Sequence, residues 1–243
     1  MHPSPSLPAE RALGVIPARF GATRFPGKPL ARLWGRPLIQ HVWERAGAIA
    51  GLDERVIATD DERIAAAARG FGAGVEMTSP ACASGTDRVA EVARRRSTAG
   101  IVVNLQGDEP ELDAEAVERM LEAMRRDPAL AMATLAHREV DRRELEPADV
   151  VKVTVDASGD ALGFSRRIEP GEHPLRHVGV YGFRRAFLLE FASWPPSESE
   201  QRERLEQLRA LDRGVRIRVI VSGRRAQGID TPDQLAALER RGP

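Results

Sequence analysis

Val15-Ile-Pro-Ala-Arg-Phe-Gly-Ala-Thr-Arg-Phe-Pro-Gly-Lys-Pro-Leu30 decides the reading of this chain. The apolar run Leu13 to Ile16 predicts a buried strand, which empties into a loop stiffened by three prolines. A helix is expected over Pro37 to Ala50. A strand, a stiff basic loop and a helix can hold a polyphosphate, because backbone N–H groups and fixed cations converge on one point. Arg19, Arg24 and Lys28 are the candidate cations. The pattern is neither a P-loop nor a dinucleotide-binding glycine fingerprint. The plainer alternative is a solvated basic loop.

Working outward, strand and helix patterns alternate through the first half. Strands are predicted at Val56–Ala58, Gly74–Met77 and Ile101–Leu105, and helices at Asp61–Arg69, Thr86–Arg96 and Ala114–Arg126. Such repetition predicts an α/β fold, a mostly parallel twisted sheet with helices on both faces and ligands beyond the carboxyl ends of its strands. The second half opens with a small antiparallel excursion, Val150–Val155 and Ala161–Phe164 about the turn Asp156-Ala-Ser-Gly-Asp160. After it come a strand at Val178–Tyr181, helices at Arg184–Ala192 and Glu200–Leu211, a strand at Ile217–Val221 and a helix at Pro232–Arg240. No repeat or linker divides the chain, so 1–243 reads as one domain, with residues 1–10 expected to be disordered.

Composition sets limits. The 243 residues are 42% hydrophobic and 30% charged, enough for a substantial core. With 36 basic and 36 acidic residues the formal charge is zero, which argues against a general nucleic-acid binder. A single cysteine, Cys82, excludes an internal disulfide framework and a cysteine metal site. No stretch reaches the roughly 20 apolar residues of a membrane helix, and Met1 to Ala9 lack a signal-peptide core, so a cytoplasmic protein is expected.

Two aspartates draw the eye. Asp108, in Gln106-Gly-Asp-Glu-Pro110, follows the clearest buried strand, where a carboxylate can hold Mg²⁺ against nucleotide phosphates. Glu109 and Glu111 read instead as acids favouring the start of the next helix. Asp230 lies in Gly228-Ile-Asp-Thr-Pro232, a helix start with Thr231 as cap and Pro232 at its first position. Ser84-Gly-Thr-Asp-Arg88 also opens a helix, and a plain N-cap would need only Ser84 or Thr86.

Pro17-Ala-Arg19, Arg24, Pro26-Gly-Lys-Pro-Leu30 and Gly35-Arg-Pro-Leu-Ile39 resemble the opening of sugar-nucleotide cytidylyltransferases. The resemblance is closest to the 3-deoxy-manno-octulosonate (Kdo) cytidylyltransferases. It continues through Ala58-Thr-Asp60, Ser84-Gly-Thr-Asp-Arg88, Asn104-Leu-Gln-Gly-Asp-Glu-Pro110, Met132-Ala-Thr-Leu135 and Phe164-Ser-Arg166. Arg176-His-Val-Gly-Val-Tyr-Gly182, Leu205-Glu-Gln-Leu-Arg209 and Gly228-Ile-Asp-Thr-Pro232 complete it, in order along nearly the whole chain. The family implies a nucleotide-diphospho-sugar transferase-like fold and transfer of CMP from CTP to an acidic acceptor, with pyrophosphate released. It implies Asp108 and Asp230 as Mg²⁺ ligands, catalytic together with Arg19 and Lys28. Pro17, Ala18, Arg19, Arg24, Lys28, Ser84, Gly85 and Thr86 would hold the nucleotide. Gln106, Arg166, His177, Tyr181, Glu206 and Gln207 would hold the acceptor, Arg166 pairing with an acid group and His177 donating a hydrogen bond. The family also implies a homodimer through the middle excursion.

The chain departs from the family beside the acceptor. Arg167-Ile-Glu-Pro-Gly-Glu-His-Pro-Leu175 is shorter than usual and lacks the adjacent Ile-Pro, and Gly163 replaces an aromatic residue. Either a Kdo enzyme has a trimmed loop, or the same reaction serves a small phosphonate such as phosphonoformate, with Arg167 beside Arg166. A non-catalytic nucleotide-binding relative would be expected to lose the metal ligands, yet both aspartates are present.

Overall fold

A computed structural model describes residues 10–21, 24–139, 142–168, 171–225 and 228–242. Most of the expected disordered terminus, residues 1–9, lies outside them. Glu10 does not share that expectation: its carbonyl accepts from Arg125 Nε at 3.2 Å and its carboxylate pairs with Arg184.

In chain order the strands are β1 (Ala12–Ala18), the short ribbon β2 (Arg32–Leu33) and β3 (Arg36–Pro37), β4 (Glu54–Thr59), β5 (Val75–Met77), β6 (Ile101–Asn104), β7 (Met132–His137), β8 (Lys152–Val155), β9 (Ala161–Ser165), β10 (Leu175–Arg184) and β11 (Ile217–Ser222). The helices are α1 (Leu38–Ala46), α2 (Glu62–Gly70), α3 (Gly85–Arg95), α4 (Ala114–Arg126), α5 (Arg185–Phe191), α6 (Glu198–Glu203), α7 (Leu208–Leu211) and α8 (Pro232–Arg241). Asp61, Ser84, Asp113 and Thr231 cap α2, α3, α4 and α8 by accepting from backbone N–H groups two or three residues on.

The main sheet runs β11-β7-β10-β6-β1-β4-β5. β1 pairs in parallel with β4 and β6, and β11 with β7, whereas β10 enters antiparallel between β6 and β7. The β8–β9 hairpin joins the start of β10 through Leu175 and Arg176. Every residue of β6 is buried, so its alternate side chains feed two cores. Ile101 and Val103 pack on the side of α1, α2 and α4, and Val102 on the side of α3, α5 and α7. The carboxyl ends of β1, β4, β6, β7 and β11 therefore share one edge with the start of β10.

Three sequence expectations change. α1 stops at Ala46 rather than Ala50. Met132–His137, quoted above only as a motif, is a fully buried strand. The single helix expected over Glu200–Leu211 is two short helices, because Arg204 takes a left-handed conformation at φ 56° and ends α6. An arginine there carries no sequence signal of a break, unlike glycine.

Candidate active site

Two cavities of about 300 and 370 Å³ open at that sheet edge. The first lies over the loop after β1, the start of α3 and the Gln106–Asp108 turn after β6. Gly27, at φ 72°, accepts the bend that brings its N–H to Phe20 O at 2.8 Å and closes the basic loop. Gly107 is required by contact: a Cβ there would lie 2.7 Å from the carbonyl oxygen of Pro17. The absence of that atom lets the Asp108 turn seat directly on the basic loop.

The expected charges converge. Lys28 Nζ lies 2.6 Å from Asp108 and 3.3 Å from Asp230, and donates to Ile229 O at 2.8 Å. Arg24 reaches Asp230 at 3.0 Å. Carboxylates 122 positions apart in sequence thus meet around one ammonium, which holds off their mutual repulsion. Arg19 is exposed on the cavity and has no ion pair among the described residues. Pro17, Ala18, Ser84 and Gly85 line the same cavity. Ser84 is also the N-cap of α3, accepting from Asp87 N at 3.1 Å, so the capping residue itself stands on the cavity wall. Thr86 instead turns to the second cavity, its hydroxyl donating to Glu206 at 2.6 Å.

The second cavity is walled by the Asp149–Val151 segment, by β10 and by the break between α6 and α7. Gln106, His177, Tyr181, Glu206 and Gln207 all line it. Gln106 Nε2 donates to Gly179 O at 2.8 Å, a carbonyl freed by a bulge. There the register with β7 passes from Val178 opposite Leu135 to Tyr181 opposite Thr134. Arg209, the last residue of the Leu-Glu-Gln-Leu-Arg run, anchors the break through Glu200, with Nε to Oε2 at 2.7 Å and Nη2 to Oε1 at 2.5 Å.

His177 lines the second cavity with its ring held against β7. Its Nε2 lies 2.9 Å from Thr134 Oγ1, which is also 2.8 Å from Val180 O. The Thr134 hydroxyl thus ties the ring to the carbonyls of the β10 bulge. Burial pushes the imidazole pKa down to about 3, leaving it neutral at physiological pH. Arg166 differs from expectation. Its guanidinium donates to the carbonyls of Glu203 and Ala148 at 3.0 and 3.2 Å, and Arg166 is absent from the cavity wall. Lys152, 2% exposed, holds the carbonyls of Pro147 and Arg166, each at 2.8 Å. These two cations build the wall instead of facing the cavity. Arg176 lines the cavity in their stead, 3.0 Å from Glu139.

Sequence reasoning missed several groups. Arg88, 3% exposed, lines the first cavity and is fixed by Thr78 and by Asp60 at 3.1 Å. Glu109, read above as a helix-start acid, is 7% exposed and lines the second cavity, while Asp113 does the capping. Burial, and then Asp108, push its pKa up to about 8. Asn104 lines the same cavity at 1% exposure, and a polar residue ending the run Ile101-Val-Val-Asn104 was the available signal. Of the departures, Gly163 lies on β9 opposite Thr154 and Arg167 is exposed, and neither lines the cavity. Residues 169–170 of the shortened loop lie outside the described residues.

Comparison with known proteins gives a consistent set of relatives. A family model described as cytidylyltransferase matches residues 13–217. A 3-deoxy-manno-octulosonate cytidylyltransferase of Anaeromyxobacter sp. (strain Fw109-5) is 52% identical, over 96% of this chain and 98% of the relative. One from Anaeromyxobacter dehalogenans (strain 2CP-1) is 54% identical over 91% and 93%. The solved structure of a CMP:2-keto-3-deoxy-manno-octonic acid synthetase complexed with CTP superposes with a TM-score of 0.90 at 43% identity, covering 95% of this chain and 98% of that one.

Proposed function

The chain belongs to the cytidylyltransferase family, and from that premise we propose that this nucleotidyltransferase moves CMP from CTP to a Kdo-type 3-deoxy-2-keto sugar acid, releasing pyrophosphate. The observation that carries the reading is the junction of the two cavities: Gly85, Gln106 and Asp230 line both. A nucleotide in the cation-lined cavity and an acid in its neighbour would present α-phosphorus and attacking oxygen to each other there. Positioning and charge stabilisation then supply the catalysis. Arg19, Arg24 and Lys28 neutralise the triphosphate, Arg88 fixes the nucleotide wall, and Gln106 orients the acceptor. His177, kept neutral by burial, offers the acceptor a hydrogen-bonding group rather than a charge.

Asp108 and Asp230 suit Mg²⁺, which takes one or two carboxylates and completes its shell with phosphate and water. Both already converge on one cation, Lys28 Nζ. Bound there, Mg²⁺ would supply charge neutralisation on the phosphates and lower the pKa of a coordinated oxygen. We further propose a cytoplasmic homodimer pairing through the β8–β9 hairpin, where Leu162 is 67% exposed. Sedimentation as a monomer at micromolar concentration would remove that part.

The two arginines that suggested the phosphonate reading do not face the second cavity: Arg166 is spent on carbonyls and Arg167 lies off the wall, although Arg176 and Arg204 line it. Pyrophosphate release with CTP and Mg²⁺ tests the choice. Kdo is expected to support turnover and phosphonoformate to give at most about a hundredth of that rate, a gap equivalent to about 2.7 kcal/mol. Release with the phosphonate alone would reverse the assignment.

A further inference from the structure

Asn104 ends β6 on the wall of the second cavity, 1% exposed, and its Oδ1 is buried without a hydrogen-bond partner. Its backbone is opposite Tyr181 in the β6–β10 register, so the two side chains stand as cross-strand neighbours on one face. Across the cavity, Gln207 comes from the break between α6 and α7, 3% exposed, and its Nε2 likewise has no partner. A buried amide stripped of water and left unpaired is destabilising, and native chains rarely keep one without a reason. Leucine at position 104 would fill similar space without that penalty.

Asn104 Oδ1 needs a donor and Gln207 Nε2 an acceptor, and a polyhydroxylated ligand offers both through its hydroxyls. A carboxylate or fully ionised phosphonate oxygen could accept from Gln207 but has no proton to give Asn104 Oδ1. We propose that Asn104 binds a hydroxyl of the acceptor through Oδ1, and thereby selects a polyhydroxylated sugar acid over a small anion. The inference rests on the reading that the second cavity takes the acceptor.

The test is Asn104→Leu, with Asn104→Ala as the second variant should the first fold poorly. Pyrophosphate release is measured while CTP and Kdo are varied separately, alongside Tm. Expected are an unchanged or raised Tm for Asn104→Leu, a KM for Kdo raised at least tenfold, and a KM for CTP within twofold of wild type. A Kdo analogue lacking the contacted hydroxyl should lose affinity for wild type but not for the variant. An unchanged KM for Kdo, or a fall in Tm with no acceptor effect, would overturn the role of Asn104. A rise in the CTP KM alone would instead overturn the assignment of the cavity. Failure of the wild type to use Kdo at all would overturn the proposed function and this inference with it.

Discussion

In the first cavity Arg24, Lys28, Arg88, Asp108 and Asp230 each face an opposite charge, whereas in the second Asn104 Oδ1, Gln207 Nε2 and Glu109 Oε2 face nothing. In the first cavity the charges, Arg19 apart, are balanced within the protein. The second also carries charge at Asp149, Arg176, Arg204 and Glu206, but sets among it buried polar atoms that no protein group satisfies. A triphosphate brings several charges and needs cations that can change partners. A sugar acid is distinguished mainly by where its hydroxyls lie, and fixed uncharged groups read that arrangement best.

The largest effect should come from the first cavity. Asp108→Ala is expected to lower kcat by on the order of 10²–10³-fold, as removal of a group that stabilises transition-state charge does. Near-wild-type turnover would mean that the balanced cluster is only structural. Next comes the support beneath the second cavity. Glu200→Ala strands Arg209, whose side chain is 10% exposed, and should destabilise by about 3–5 kcal/mol. Chemical denaturation measures this, and a loss below about 1 kcal/mol would show that the break does not depend on the pair.

A third prediction concerns neutrality itself. His177 has a folded pKa near 3 against an ordinary value of 6.5. Above pH 6.5 the ring is neutral in both folded and unfolded chains and contributes no slope. As pH falls below 6.5 the unfolded chain takes a proton that the folded one refuses, so stability drops by about 1.4 kcal/mol per pH unit toward pH 3. His177→Gln should remove that component from the pH profile; an unchanged slope would mean a ring that charges in place. The smallest effect is expected of Thr86→Val, which deletes the 2.6 Å bond to Glu206. About 1 kcal/mol, or roughly fivefold in the acceptor KM, should be lost with the CTP KM unchanged. A matching change in the CTP KM would return Thr86 to the nucleotide side.

Much of the first cavity was legible in the sequence, because its signals are local. Prolines and glycines between cations mark a stiff loop, and Gln-Gly-Asp after an apolar run marks a turn at a strand end. Thr-Pro marks a helix start. That Asp108 and Asp230 meet is tertiary, and only the family resemblance anticipated it. The second cavity was harder to read. β10 lies between β6 and β7 by a pairing that no local pattern encodes, and Arg204 breaks a helix without a glycine. Burial gives Glu109 and Asn104 their character, and burial belongs to the assembled fold. Arg166, assigned to the acceptor on the family resemblance, is engaged with main-chain carbonyls that no local pattern announces.

The bulge in β10 separates two lengths of strand that would otherwise move together. From Tyr181 onward β10 is locked to β6 and β7 at once; before Val178 it pairs with β7 and β8 under a different offset. The loop that ends at Leu175 therefore enters the sheet on the β8 side of that bulge, apart from the length of β10 paired with β6.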